Sequence, residues 1–279
     1  MQIRTDMAAE LTKECGSVQT SGIRQNEYEK NGVKVSVTDI LSDSAEEKTG
    51  KEKGRYVTIS FGKDDYDDTS VENTVNAAKE EFEEIFGNRK STLVVGLGNP
   101  ALTADAIGPK TTEKLVVTRH LKGHEGFDSL GLGEVCQITP NVLGKTGIET
   151  SELVKAVVSA VHPDAIVVID AIVVIDALAA REKSRLCKNI QLSNTGIRPG
   201  SGVGNHRNAL DRQTLGIPVF SIGVPTVIDL SDEKNGGLIV TPKDIDLAVE
   251  RCSDVISGFL NKVFHPNAEK ETLSVFLNC

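Results

Sequence analysis

The stretch AIVVIDAIVVIDALAAR, residues 165–181, contains the same six letters twice in succession, and each copy ends in an aspartate. Unbroken runs of Ile and Val indicate a strand that is buried on both faces, as in a parallel sheet. In such sheets ligands bind at the carboxyl ends of the strands. Asp170 and Asp176 are therefore candidate catalytic acids.

Only one copy is expected to occupy the strand position. Twelve residues at about 3.3 Å each would exceed the usual length of a strand. The insertion has an even number of residues, so each side chain keeps its face of the sheet. We expect the second copy to form the buried strand, with the first copy displaced towards the surface.

The rest of the chain alternates strand and helix patterns. TLVVGLG (92–98) is a second buried run. Further strands are predicted at 133–140, 189–194 and 217–225. Helices are predicted at 70–88, within the segment that follows Pro109, and at 146–162 and 241–264. This alternation predicts an α/β fold with a mainly parallel sheet flanked by helices.

The N-terminal part has a different sequence pattern. Apolar and polar residues alternate over 33–41 and 55–62, which predicts a small peripheral strand pair within 33–62, joined by a charged loop. Residues 1–32 show no clear period. We predict a single α/β domain over residues 1–279.

Composition excludes several classes of protein. The net charge of −9 argues against direct nucleic-acid binding, and no apolar run reaches the roughly 20 residues that span a membrane. Five cysteines without a C-x-x-C pair indicate a reducing, cytoplasm-like compartment. Aromatic residues make up only 4% of the chain, with no Trp, so the core is expected to be aliphatic.

Asp105 is a further candidate acid, because it follows a buried strand within VVGLGNPALTADAIGP (94–109). Two carboxyl groups at strand ends can share a proton, one acting as acid and the other as base on a water molecule. An aspartate in a loop is also a common helix cap or turn residue. From the residues alone, the catalytic and structural interpretations of these aspartates remain equally open.

Other motifs are weaker. The glycines of GLGN and of GSGVGN (200–205) do not match the dinucleotide fingerprint. Ser201 lacks a nucleophile elbow, and the cysteines lie in apolar or amphipathic surroundings, where thiols are usually inert. The histidines show no H-E-x-x-H pattern, and we predict neither a metal nor a cofactor.

Taken together, the motifs resemble the germination protease family of spore-forming bacteria. They include IRTDMAAE (3–10), VGLGNPALTADAIGP (95–109), DALAAR (176–181) and NTGIRPGSGVGN (194–205). The resemblance implies an atypical aspartic endopeptidase that initiates degradation of small acid-soluble spore proteins, with a fold like that of the hydrogenase-maturation proteases. The family's two essential aspartates correspond to Asp105 and Asp176, and Asp170 is the alternative second acid.

The resemblance also implies a zymogen that trims itself between Asp6 and Met7, so that residues 1–6 are a propeptide. It implies a homo-oligomer, a tetramer in the family, located in the cytoplasm of the forespore and in the spore core. This sequence departs from the family in its duplicated strand and in Asn194, where many members have Asp. The segment between GVPTVID and VTPKDID is also short.

Three other functions share features with this sequence. A metal-dependent maturation protease of the hydrogenase type shares G-x-G-N…D and could use the same acids as ligands. Peptidyl-tRNA hydrolase also contains GLGNP, but it requires a basic RNA-binding face. An inactive paralogue, damaged by the duplication, would fold without cleaving protein.

Overall fold

The computed structural model describes residues 22–61, 68–125, 127–175, 186–199, 207–229 and 239–277. Within these ranges nine strands form a single sheet. They are β1 (Ile23–Lys30), β2 (Val33–Ile40), β3 (Gly54–Ser60), β4 (Ser91–Gly96), β5 (Glu134–Ile138), β6 (Ala165–Ile175), β7 (Asn189–Ser193), β8 (Val219–Asp229) and β9 (Ile239–Val240). The spatial order is β1-β2-β3-β7-β8-β6-β4-β5, and β9 pairs with β8.

The described helices lie between and after these strands. They are α1 (Asp43–Thr49), α2 (Asp68–Phe86), α3 (Ile107–Thr112), α4 (Leu143–Thr146), α5 (Thr150–Val161), α6 (Arg212–Leu215), α7 (Ile245–Phe264) and α8 (Lys270–Leu277). Short 3-10 turns occur at Thr103–Asp105, Arg119–Leu121 and Phe127–Leu130. Within the described ranges, no helix has both the length and the apolar character needed to cross a membrane.

The centre of the sheet is parallel and is covered on both faces. β5, β4, β6 and β8 pair in parallel, and the outer strands are antiparallel. On β6, Val167 and Ile169 pack into the cluster that contains α2 and α7 residues, whereas Ile166 and Val168 pack with Val154 of α5. The predicted α/β class, with mostly parallel central strands and flanking helices, is confirmed.

The doubled strand differs from the expectation. The first copy, not the second, lies between β4 and β8, and the strand continues without a break to Ile175. An 11-residue strand is possible here because β8 is equally long and pairs with β6 throughout, with a shift of register between Ile172 and Val173. The prediction that the first copy is displaced was therefore wrong.

The N-terminal addition is larger than the predicted pair. β2 and β3 form where the alternation indicated, but β1 precedes them and pairs with β2 along its whole length. Its pattern is hard to recognise because seven of its eight residues are exposed. The charged loop contains helix α1, whose first turn is capped by the Ser42 hydroxyl accepting from the Ala45 N–H.

Two smaller expectations were also wrong. The core is not purely aliphatic, since five phenylalanines cluster against the sheet: Phe82, Phe86, Phe220, Phe259 and Phe264. Helix α3 begins at Ile107, before Pro109, and not after it. Proline is tolerated there because the first turn of a helix has no internal acceptor for its N–H groups.

Candidate active site

The glycine-rich motif after β4 forms a tight turn that brings Asp105 back over the end of the sheet. Gly98 has φ +118°, and a Cβ atom placed on it would lie 1.9 Å from the Asp105 carbonyl oxygen. Only glycine fits both the backbone angle and the contact. Asp105 ends a 3-10 turn, and its N–H donates to the Leu102 carbonyl at 2.8 Å.

A second glycine seats the Asp105 segment against the neighbouring strand. On Gly108 of α3, a Cβ atom would lie 2.3 Å from the Leu97 carbonyl oxygen and 2.7 Å from that of Ile169. Any side chain at Gly108 would therefore push α3 away from the sheet. In the sequence D-A-I-G, Asp105 comes three residues before Gly108, so the close contact of Gly108 also determines the position of Asp105.

The Asp105 carboxyl group is half-buried and held on one side. Its Oδ2 accepts a 2.9 Å hydrogen bond from the backbone N–H of Asn99. Burial raises the pKa of Asp105 above its usual value, and the Asn99 hydrogen bond and the charge of Arg207 act in the opposite direction. A carboxyl group with a raised pKa is suited to exchanging protons with a substrate or a water molecule.

Asp170 closes the first copy of the repeat at the same edge of the sheet. The residue before it, Ile169, is opposite Gly96, the last residue of β4. Asp170 itself pairs with Gly223 of β8. The residue is 8% exposed, and its Oδ1 accepts from the N–H of Ala171 at 2.9 Å. Asp170 and Asp105 are therefore both at the carboxyl edge, on segments that meet at Gly108 and Ile169.

The other predicted site residues lie outside the described ranges. These are Asp176, Asp6 and Met7. The assignments of Asp176 as second acid and of Asp6–Met7 as cleavage point stay predictions. Ile175, the last residue of β6, lies five positions or about 16 Å of extended chain beyond Asp170.

Asn194, which departs from the family pattern, has a structural contact. Its side-chain Oδ1 accepts from the Arg55 N–H at 2.9 Å and so links the end of β7 to β3. A carboxylate oxygen would accept the same bond, so an Asp at this position would fit equally well. Ser201 of the same glycine-rich segment lies outside the described ranges.

The described cysteines are half-buried or buried, and their predicted inertness stays a prediction. Burial raises the pKa of Cys136, and both Cys187 and Cys252 are buried. In the part of the chain that the structure describes, no group of three or more His, Cys, Asp or Glu side chains could hold a metal ion.

Three residues of the site were not singled out from the sequence. The backbone N–H of Asn99 donates to the Asp105 carboxylate, and the charge of Arg207 acts to lower the pKa of Asp105. Lys145 donates to the Asn99 side chain at 2.8 Å. Asn99 lies within VGLGNPALTADAIGP and Arg207 lies two residues beyond NTGIRPGSGVGN, whereas Lys145 lies outside the motifs quoted for the resemblance. The motifs alone did not show which of their residues contacts Asp105.

Comparison with known proteins gives a consistent result. The germination protease family model matches residues 2–236. The germination protease of Clostridium acetobutylicum is 34% identical over 99% of this chain and 99% of its own. That of Clostridium tetani is 35% identical over 100% of both chains, and that of Bacillus velezensis is 42% identical over 81% of this chain and 63% of its own.

Among solved structures, similarity is found to the nickel–iron hydrogenase maturation protease HycI from Thermococcus kodakarensis KOD1. The two are 18% identical, with a TM-score of 0.35, over 64% of this chain and 98% of that chain. At that score neither fold nor function is inferred from the likeness.

Proposed function

The chain belongs to the germination protease family, and we propose that it is an aspartic-type endopeptidase that begins the degradation of small acid-soluble spore proteins during germination. The observation that carries the catalytic part is the position of Asp105. Its carboxyl group is half-buried, is held on Oδ2 by the Asn99 N–H, and lies at the sheet edge where Asp170 ends the first repeat.

The proposed chemistry needs two carboxyl groups in opposite protonation states. The ionised group takes a proton from the water that attacks the scissile carbonyl carbon. The protonated group donates its proton to the carbonyl oxygen as the carbon becomes tetrahedral. When the carbon–nitrogen bond breaks, the first group passes the proton it took from water to the leaving nitrogen. The second group takes a proton back from a hydroxyl of the tetrahedral intermediate, which becomes the product carboxylic acid, so both groups return to their starting states.

Asp105 is the first acid of the proposed pair, and two residues compete for the second position. The IDALAAR context supports Asp176, because that is the family motif. Strand register supports Asp170, because the first copy pairs with β4 and leaves Asp170 beside the Asp105 turn. We favour Asp170, since a catalytic pair requires proximity and β6 continues beyond Asp170 with β8 as its neighbour.

We further propose that the enzyme is made as a zymogen, trimmed between Asp6 and Met7, and that it acts as a homo-oligomer in the forespore and spore core. These proposals rest on family membership. The family model includes Asp6 and Met7 in its match.

The experiment is cleavage of purified small acid-soluble spore proteins by the trimmed protein, which begins at Met7, and by its Asp105→Asn variant. This change keeps the size of the side chain but removes its ability to exchange a proton. We expect cleavage by the trimmed protein, unaffected by a chelator, and a loss of at least about a hundredfold in the variant. A folded trimmed protein that cleaves none of these proteins would refute the proposal, and loss of activity with chelator would favour a metal-dependent protease.

A further inference from the structure

A lysine from the segment after β5 reaches the turn that carries Asp105. Lys145 Nζ donates a 2.8 Å hydrogen bond to Asn99 Oδ1. β5 and β4 are parallel neighbours, with Val95 opposite Ile138, so the segments that follow them leave the sheet at the same edge. The contact therefore joins two adjacent loops at the candidate active site.

The backbone around Lys145 is held in place at both ends. Asn141 has φ +66°, and its side chain accepts from the Val142 N–H at 2.9 Å, immediately before α4. Gly147, with φ +67°, ends α4, and its N–H donates to the Leu143 carbonyl at 2.8 Å. Because both ends are fixed, Lys145 starts from a defined position, which lowers the entropic cost of its contact with Asn99.

Asn99 is the link between Lys145 and Asp105. Its Oδ1 accepts from Lys145 Nζ and also from the Ala101 N–H at 3.1 Å, while its own N–H donates to Asp105 Oδ2 at 2.9 Å. The side chain thus fixes the turn that aims the backbone N–H at the carboxylate. Within the ranges that the structure describes, Asn99 is the one polar partner of the Lys145 ammonium group.

Two other lysines near the site are arranged differently. Lys110 and Lys114, on and just after α3, form ion pairs with Glu250 of α7 at 2.7 and 2.5 Å. These ion pairs tie the α3 segment to α7. Lys145, by contrast, contacts a neutral amide whose backbone holds Asp105.

We propose that Lys145 is a positioning residue, which acts through Asn99 to hold the Asp105 carboxyl group in its reactive orientation. The inference rests on the proposed function, because it assigns Lys145 a part in the same reaction. It does not require contact between Lys145 and the substrate. The variants should therefore lower kcat and leave KM unchanged.

The test is a set of three substitutions. Lys145→Met removes the ammonium group with little change in length. Because the contact with Asn99 is exposed to solvent, we expect kcat to fall by roughly threefold to tenfold, the net size of an ordinary hydrogen bond. Lys145→Arg keeps a donor and should restore most of the rate. Lys155→Met, at an exposed position on α5, is the matched control and should leave both constants unchanged.

The path through Asn99 is tested by a double-mutant cycle. Asn99→Ala removes the acceptor but keeps the backbone N–H, so it should reproduce the loss of rate seen in Lys145→Met. The double variant should then be no slower than either single variant. Additive losses, or a higher KM at unchanged kcat, would overturn the assignment.

A measurement without substrate separates this inference from the proposed function. In Lys145→Met the Asn99 amide should exchange its hydrogen for deuterium faster than in the full chain, while Lys155→Met should leave it unchanged. Unchanged exchange at Asn99 would refute the role of Lys145 whether or not the enzyme cleaves spore proteins. Failure of the trimmed protein, which begins at Met7, to cleave, with faster exchange in the variant, would refute the proposed function alone.

Discussion

The backbone N–H of Leu97 donates a 2.8 Å hydrogen bond to the carbonyl oxygen of Ile169. This bond extends the pairing of β4 with β6 by one residue, and it fixes the start of the Asp105 turn against the residue that precedes Asp170. The first copy of the repeat is therefore the one in register with the site.

From this register we expect Asp170→Asn to abolish cleavage of small acid-soluble spore proteins, by about a hundredfold or more, and Asp176→Asn to keep most of it. An Asn side chain preserves the shape but cannot exchange the proton. Initial rates measured with equal concentrations of folded enzyme decide the question. Full activity in Asp170→Asn, with none in Asp176→Asn, would show that Asp176 is the second catalytic acid.

Removing one copy of the repeat resolves the conflict between register and motif. Deletion of residues 165–170 and deletion of 171–176 give the same sequence, HPDAIVVIDALAAR. Its single aspartate then follows the central strand and also precedes ALAAR. We expect the shortened protein to cleave at least as fast as the full chain, and a clear loss of kcat/KM would show that the second copy contributes to the site.

Gly98 should tolerate no side chain. Gly98→Ala combines a backbone angle that costs about 1–3 kcal/mol for other residues with a contact of 1.9 Å to the Asp105 carbonyl, so activity should be lost and the free energy of unfolding should fall. Gly144→Ala is the control, because a Cβ atom there meets nothing within 4 Å. We expect that variant to change stability by less than about 1 kcal/mol. Urea unfolding and cleavage rates measure both effects, and equal behaviour of the two variants would contradict the close packing.

His265 should make the fold less stable in mild acid. The buried ring accepts from the Gly133 N–H through Nδ1 at 3.2 Å, and Nε2 lies 3.0 Å from the Val116 carbonyl oxygen, which it binds as donor. Burial lowers the pKa of His265 in the folded protein. The neutral ring therefore stabilises the fold above the unfolded pKa of about 6.5, and that contribution decreases as pH falls below this value, where the unfolded chain gains the proton first.

The measurement for His265 is the urea midpoint at about pH 7.5 and about pH 5.5. The wild-type protein should lose more stability between the two than His265→Gln, which does not titrate in this range. Equal pH dependence in both proteins would show that other groups cause the loss.

If the N-terminal cut is self-cleavage, it needs the same acids as substrate cleavage. Purified Asp105→Asn protein should therefore keep Met1 under conditions in which the wild-type protein begins at Met7. N-terminal sequencing distinguishes the two. Trimming of the inactive variant at Met7, with no other protease present, would rule out self-processing.

The sequence predicted the features that depend on local pattern. The buried run that ends in GLG, the long helix α7 and the position of Asp105 after β4 all follow from apolar periodicity and glycine spacing. The copy of AIVVID that enters the sheet could not be predicted in this way, because the two copies are identical and the choice depends on their neighbours β4 and β8. β1 was missed because a strand exposed on both faces has no apolar alternation.

The contacts around Asp105 were beyond prediction for a different reason. Lys145 and Asn99 are 46 positions apart, and their contact depends on β4 and β5 being adjacent and parallel. The predicted strands alone do not give their order in the sheet. The candidate acids were therefore recognisable from sequence, whereas the groups that hold them in place were not.

The paired ends of β6 and β8 show that the two halves of the site differ in their tolerance of insertions and deletions. At the Asp105 half, Gly98 and Gly108 contact backbone so closely that one added residue between them would displace the carboxyl group. At the other half, β6 continues through five residues of the second copy, Ala171–Ile175, and the ladder with β8 accommodates them with one shift of register. Insertions and deletions during the evolution of this fold are therefore expected after Asp170 and not between Gly98 and Gly108.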